Sequence, residues 1–324
     1  MAIPEYQITM LGPSGVGKTS LLTAIYEKFE HTAGQIEITI DPDSETLQQI
    51  QKCLVQLKSL TKKSNEILIR NNLGVRGTIN PFSFYFDMGI HGSNPSLRLH
   101  FQDYPGGWIE NQATKQEMDE VVKFLTESIA VLIPIDATAI MERNGQYHEF
   151  VNLPTTITAL IKRAYQGLDS PRLVILAPVK CESYMKDEES INKLSDDIDK
   201  VYKQIIQFFK GENLSSNIAV VYTPIQTVGN VIFSRIEEKD GEPRFYFRRT
   251  RVNAPYAPRD AEQTLKYLLK FILKLHIGRG NLLVKFFRRL LELDKPFRQA
   301  ATKFAKEPAN PNCKVIQGDK WLDI

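Results

Sequence analysis

Cysteine is scarce and scattered in this 324-residue chain, which has only Cys53, Cys181 and Cys313. That number and spacing exclude a disulfide framework and a thiolate metal cluster, and they suit a reducing cytoplasm. The five histidines show no ligand spacing, and no Ser/His/Asp or Cys/His arrangement suggests nucleophilic catalysis. No stretch reaches the ~18 uncharged apolar residues of a membrane span. The first apolar run begins at Tyr6, so no secretory leader is expected ahead of it. Charge of neither sign dominates: the net formal charge is +3, too small to imply nucleic acid as a partner. Internal repeats and low-complexity tracts are also missing. What remains is an ordinary globular composition, 42% hydrophobic and 24% charged, long enough for one large domain or two.

Apolar runs alternate between strand and helix periods. Strands are expected at 6–11, 82–89, 96–102, 129–135, 172–177 and 217–223, and helices at 17–29, 112–127, 154–166, 188–210 and 258–277. This alternation predicts an α/β fold with a mostly parallel sheet. The runs 130–135 and 173–177 are apolar throughout, which suits central strands covered on both faces. One connection breaks the pattern. Only residues 90–95 separate the strands 82–89 and 96–102, too few for a parallel crossover but comfortable for an antiparallel hairpin.

Three segments look like additions. Residues 34–77 are read as a helical insertion, with a helix from Ser44 to Lys63 that aligns Leu47, Ile50, Leu54, Leu57 and Leu60 for the core or a partner. Residues 229–251 are read as a hairpin insertion around Asp240-Gly241. Its strand 244–251 alternates aromatic and basic side chains, as a charged sheet edge does, or a grip on single-stranded nucleic acid. The chain is therefore expected to divide into a domain of residues 1–277 and a helical C-terminal tail, 278–324. From Arg279 to Lys306 eight basic residues face only Glu292 and Asp294, while Leu283, Phe286, Phe287, Leu290 and Leu291 form an apolar stripe. Such a basic amphipathic helix packs on its own domain, docks in a protein partner, or contacts an anionic membrane.

The first strand runs into Gly12-Pro13-Ser14-Gly15-Val16-Gly17-Lys18-Thr19, a full match to the P-loop pattern G-x-x-x-x-G-K-[ST]. Glycines there let successive backbone N–H groups turn inward around an anion. Lys18 supplies a mobile positive charge for β and γ phosphates, the Thr19 hydroxyl suits Mg²⁺, and the helix starting here points its positive end at the phosphates. Gly12, Ser14, Gly15, Val16, Gly17, Lys18, Thr19 and Ser20 are the expected phosphate-side residues. Downstream, Asp103-Tyr104-Pro105-Gly106 matches D-x-x-G. A carboxylate at the tip of a strand beside the P-loop reaches the Mg²⁺ shell, and the Gly106 N–H can approach a γ-phosphate without a Cβ in the way. Asp136, at the end of a buried strand, is a helix cap or a residue near the site.

P-loop, hairpin and D-x-x-G in this order resemble the Ras-like P-loop GTPases of the translation-factor-related class. Within that class, the runs 103–108 and 223–229 resemble bacterial proteins of the double-GTPase type, which are often linked to multi-gene conflict systems. The resemblance implies a three-layer P-loop NTPase fold with one antiparallel hairpin strand, and a cytoplasmic, Mg²⁺-dependent, GTP-binding switch. It also implies a guanine-reading N/T-K-x-D motif after strand 172–177, where this chain has Val179-Lys180-Cys181-Glu182. Lys180 would pack on the base and Glu182 would accept from guanine, unless the two are an exposed loop pair. Val179 removes a polar brace. Gln226 and Thr227 would contact the base through the final loop. GTP is the expected nucleotide, with ATP or degenerate specificity as alternatives.

The same resemblance makes Thr78 a γ-phosphate sensor and, with Thr19 and Asp103, a candidate metal ligand; the alternative is an ordinary loop threonine. Arg70 and Arg76 are arginine fingers in cis or plain solvent-facing cations. The water-orienting Gln that usually comes after D-x-x-G is Gly107 here, and Gln112 is the nearest substitute. Lys18, Thr78, Gly106 and Gln112 are thus the candidate catalytic residues. Slow intrinsic hydrolysis is the expectation, or a catalytic residue from a protein activator. A non-hydrolysing scaffold and an ATPase subunit of a larger complex are the rival readings.

Overall fold

The computed structural model describes residues 3–33, 37–62, 67–69, 80–239, 241–277 and 293–324. Its strands are β1 Glu5–Met10, β2 Ile38–Pro42, β3 Ile67–Ile69, β4 Phe82–Ile90, β5 Leu97–Asp103, β6 Ala130–Asp136, β7 Arg172–Val179, β8 Ile218–Tyr222, β9 Val231–Lys239, β10 Glu242–Arg249 and β11 Lys314–Gln317. The helices are α1 Lys18–Ala33, α2 Ser44–Leu60, α3 Lys115–Glu127, α4 Ala137–Met141, α5 His148–Asn152, α6 Pro154–Ala164, α7 Glu188–Val201, α8 Lys203–Phe209, α9 Glu212–Ser215, α10 Ala261–Ile277 and α11 Lys295–Lys306.

One eight-stranded sheet runs in the order β11-β8-β7-β6-β1-β5-β4-β2. Its centre is parallel: Ile8 of β1 lies opposite Phe101 of β5 and Ala130 of β6. β6 and β7 are buried along their whole length, as their continuous apolar sequences require. Pro134 is tolerated inside β6 for a local reason. The Leu132 carbonyl accepts from Leu11 N–H, and two residues later Pro134 faces the same side, where β1 has already ended. The expected hairpin is β4–β5, antiparallel with Phe84 opposite Phe101. Two further edge strands, β2 on β4 and β11 on β8, are also antiparallel.

Helices cover both faces, giving three layers. α1, α10 and α11 bury Leu22, Phe29, Leu268, Phe271 and Phe304 on one face, and the Phe29 and Phe304 rings meet edge-on at 5.4 Å. α3, α6, α7 and α8 bury Val121, Ile157, Ile198 and Ile205 on the other. Each such side chain contributes about 1.5–3 kcal/mol on burial. α3 starts with a reciprocal capping box between Thr114 and Glu117. The single helix expected at 188–210 breaks at Tyr202 into α7 and α8.

A second sheet, β3-β10-β9, lies beside α2. α2 is two-sided: Ile50 joins the main core, while Cys53, Leu57 and Leu60 pack with Phe245, Phe247 and Ile236 of the second sheet. The edge expected at 244–251 is corrected here. β10 is the central strand, paired with β9 on one side and β3 on the other, with Phe245 and Phe247 inward and Arg248 outward. Over Phe245–Phe247 the strand is paired on both sides and presents no free backbone edge.

The chain after residue 292 shares the main core: Phe297, Ala301 and Phe304 of α11 are buried in it, and β11 extends the same sheet. The apolar stripe at 283–291 lies outside the described residues, as do Arg70, Arg76 and Thr78. All three cysteines are free thiols. No helix among the described residues is long and apolar enough to cross a membrane.

Candidate functional site

The parallel strands β1, β5, β6 and β7 end along one side of the sheet, and the motif residues gather there. The P-loop links β1 to α1. Gly15 (φ +73°) and Gly17 (φ +117°) hold left-handed backbone that side chains resist. A Cβ on Gly12 would come within 2.9 Å of the buried Val16 side chain. Lys18 Nζ donates to the carbonyls of Gly12 (2.9 Å) and Pro13 (3.3 Å), and lies 3.9 Å from the Asp103 carboxylate. Burial lowers the Lys18 pKa, while Asp103 and Glu110 pull it back up. Its ammonium also stands 5.3 Å from the centroid of the Tyr104 ring.

Asp103 closes β5, and its Oδ2 accepts from the Thr19 hydroxyl at 3.0 Å. A hydroxyl and a carboxylate this close, beside a phosphate loop, are the hard oxygen donors Mg²⁺ prefers. Thr19 and Asp103 therefore fit the ion. Among the described residues no group of three His, Cys, Asp or Glu side chains could hold a metal alone. Magnesium sites usually draw their remaining ligands from phosphate and water.

Between β5 and α3, the D-x-x-G turn packs onto the P-loop. The Tyr104 hydroxyl accepts from Gly12 N–H at 3.2 Å, and burial pushes its pKa up. A Cβ on Gly106 would fall 2.0 Å from Ser14 N, so only glycine allows this approach. Gln112 is exposed in the turn before α3. The side chain that reaches the loop from this stretch is Glu110, whose Oε1 accepts from Ser14 N–H at 2.8 Å. Neither Tyr104 nor Glu110 stands at a motif position with an assigned role, so motif reading passes over both.

The other end of the site forms where β6, β7 and β8 run out. Lys180 holds a left-handed backbone (φ +58°), and its N–H donates to the Thr227 hydroxyl at 3.3 Å. Its ammonium pairs with the Asp136 carboxylate and donates to Gly15 O at 3.3 Å. Asp136 does two things at once. Oδ1 caps α4 through Thr138 N–H (2.9 Å) and Ala139 N–H (3.3 Å), and Oδ2 meets Lys180. Val179 packs beside the loop, for a Cβ on Gly17 would lie 3.4 Å from Val179 Cγ2.

Glu182 is buried, 8% exposed, so it is no surface loop residue. Its Oε1 accepts from Val228 N–H (2.8 Å) and Gly229 N–H (3.0 Å). Burial raises its pKa, against the lowering pull of those amides and Lys180. Gln226 is buried and bridges Arg259 through paired backbone bonds of 3.2 and 3.0 Å, with Thr227 buried beside it.

The family model Double-GTPase 2 matches residues 7–264 of this chain. No curated protein matches it in sequence. The solved structures that resemble it include the following two. One is the signal recognition particle receptor SRb-GTP/SRX complex from Chaetomium thermophilum, at 15% identity and TM-score 0.34, over 71% of this chain and 93% of that one. The other is sup35 complexed with GDP, at 16% identity and TM-score 0.30, over 70% of this chain and 38% of that one.

Proposed function

The chain belongs to the Double-GTPase 2 family, and on that premise we propose that it is a Mg²⁺-dependent GTP-binding switch with slow hydrolysis of its own and a protein activator. The observation that carries this reading is the meeting of Thr19 and Asp103 at 3.0 Å beside the buried Lys18. P-loop amides and the Lys18 ammonium bind the phosphates, and Thr19 with Asp103 holds the metal. An ion held there would supply positive charge to offset that of the phosphates. Lys180 and Glu182 shape the base end, with Gln226 and Thr227 on the adjoining loop.

Slow turnover is motivated by the residues just after D-x-x-G. Gly107 has no side chain to orient water, and Gln112 is exposed. An activator supplying the missing group would restore the rate, and a bacterial conflict system is the setting we propose by family resemblance. Relaxed base choice, admitting ATP, is the second reading. It is favoured by Val179 and by Glu182 Oε1 engaging backbone amides.

Fluorescent mant-GTP and mant-ATP titrations test both readings. Wild type is expected to bind mant-GTP more tightly, and equal affinities would remove the guanine assignment. Lys18→Ala is expected to weaken binding about 100-fold, from hydrogen bonds to a charged group worth about 1.5–3 kcal/mol. Undiminished binding by that variant would remove the P-loop reading.

A further inference from the structure

Glu110 places a carboxylate on the phosphate loop itself. Its Oε1 lies 2.8 Å from Ser14 N, and Ser14 is one of the P-loop residues whose amides line the anion site. The same amide marks where the D-x-x-G turn meets the loop, since a Cβ on Gly106 would fall 2.0 Å from Ser14 N and 2.4 Å from Pro13 C. Gly106 is the residue whose own N–H is suited to a terminal phosphate. Glu110 therefore bonds the loop on the terminal-phosphate side.

We infer that Glu110 is a specificity determinant that weighs diphosphate against triphosphate, by competing with the terminal phosphate for the Ser14 amide. The inference rests on the nucleotide-binding reading above. One N–H has one hydrogen to give in good geometry, so a carboxylate and a phosphate oxygen cannot both take it. Two anions brought to one amide also repel each other. The carboxylate is held ready for this competition. The turn that carries it is closed by Trp108 N–H to Pro105 O (2.9 Å) and Glu110 N–H to Gly107 O (3.1 Å), and is anchored by the buried Ile109. Lys18 feels the same carboxylate as a favourable charge, which a triphosphate would replace with a stronger one. A diphosphate leaves the contact in place, and a triphosphate has to displace it.

The test is equilibrium titration of the full chain with mant-GTP and mant-GDP, for wild type, Glu110→Gln and Glu110→Ala, with Glu120→Gln, a half-buried α3 carboxylate paired with Lys123, as a charge control. Removing one charge-assisted competitor is expected to tighten mant-GTP about 10-fold in Glu110→Ala, while mant-GDP changes less than about 2-fold. Glu110→Gln keeps an acceptor without the charge and is expected to fall between wild type and Glu110→Ala. Should Glu110→Ala fail to fold, Glu110→Gln alone decides by the shift in its GTP-to-GDP ratio. An unchanged ratio, or an equal change for both nucleotides, overturns this inference and leaves the P-loop reading intact. Absence of binding by wild type and variants alike overturns both.

Discussion

Lys18 and Lys180 reach the same loop from opposite ends, and they are spent differently. Lys18 donates to Gly12 and Pro13 carbonyls and sits 3.9 Å from Asp103, with its neighbours Thr19 and Glu110 also facing the loop. Lys180 donates to Gly15 O but is paired with Asp136, which also caps α4. Glu182, the other ionisable residue there, holds the backbone of Val228 and Gly229. On the proposed nucleotide-binding reading, the charges at the phosphate end surround the place the phosphates would take, while those at the base end are committed to holding protein segments together. Phosphate affinity should then be sensitive to side chains, and the base end should answer first in stability.

A matched pair of glycines gives the strongest way to break that contrast. A Cβ on Gly229 would lie 1.8 Å from Ala257 O, and its φ of +83° strains any L side chain. A Cβ on Gly106 would lie 2.0 Å from Ser14 N, but its φ is not in the left-handed region. Gly229→Ala carries both overpacking and backbone strain, so about 3–5 kcal/mol of stability should go; Gly106→Ala carries overpacking alone, about 1–3 kcal/mol. Chemical denaturation measures both, and mant-GTP binding should be lost in Gly106→Ala at temperatures where it is still folded. Equal stability losses, or retained binding by Gly106→Ala, would erase the distinction between the two ends.

The contrast also bears on which features are legible in the sequence. The six strands expected from apolar runs all form, because β1 and β4 to β8 carry their own burial signal. β2, β3 and β11 are five, three and four residues long, and they exist by pairing with β4, β10 and β8. Local periodicity cannot report a strand whose partner supplies most of its stability. The same reason hides the centrality of β10. Lys18, Thr19 and Asp103 are legible although 84 residues separate Thr19 from Asp103, because each stands in a short pattern, G-x-x-x-x-G-K-[ST] or D-x-x-G, whose chemistry is local. The grip of Glu182 on residues 228–229, and of Glu110 on Ser14, each joins segments far apart in sequence. Neither bond is legible until the fold closes those gaps.

A smaller effect should come from Lys180→Ala. The pair it breaks is partly shielded, with the Lys180 side chain 18% exposed and Asp136 3%. Asp136 keeps its two amide donors, so the loss should be about 2 kcal/mol, below the cost of stranding a fully buried charge. Thermal denaturation reads this, and paired titrations should show the mant-GTP preference over mant-ATP narrowing. A variant as stable as wild type with its phosphate affinity abolished would mean that Lys180 works as Lys18 does.

The smallest expected effect is a pH dependence at the base end. Burial raises the Glu182 pKa, so the native protein takes up this proton at a higher pH than the unfolded chain does. Its contribution to stability is then fully present below the unfolded glutamate value of about 4.3, and is lost as pH rises through the raised native value. Glu182→Gln has no such proton to lose, yet it keeps an oxygen to accept from Val228 and Gly229. The melting temperature of wild type minus that of Glu182→Gln should therefore fall as pH is raised from about 4.5 toward neutrality. A difference that instead grows with pH would mean that the two backbone donors outweigh burial and hold Glu182 charged. The base end would then present a fixed anion, and its electrostatics would match the phosphate end more closely than its burial suggests.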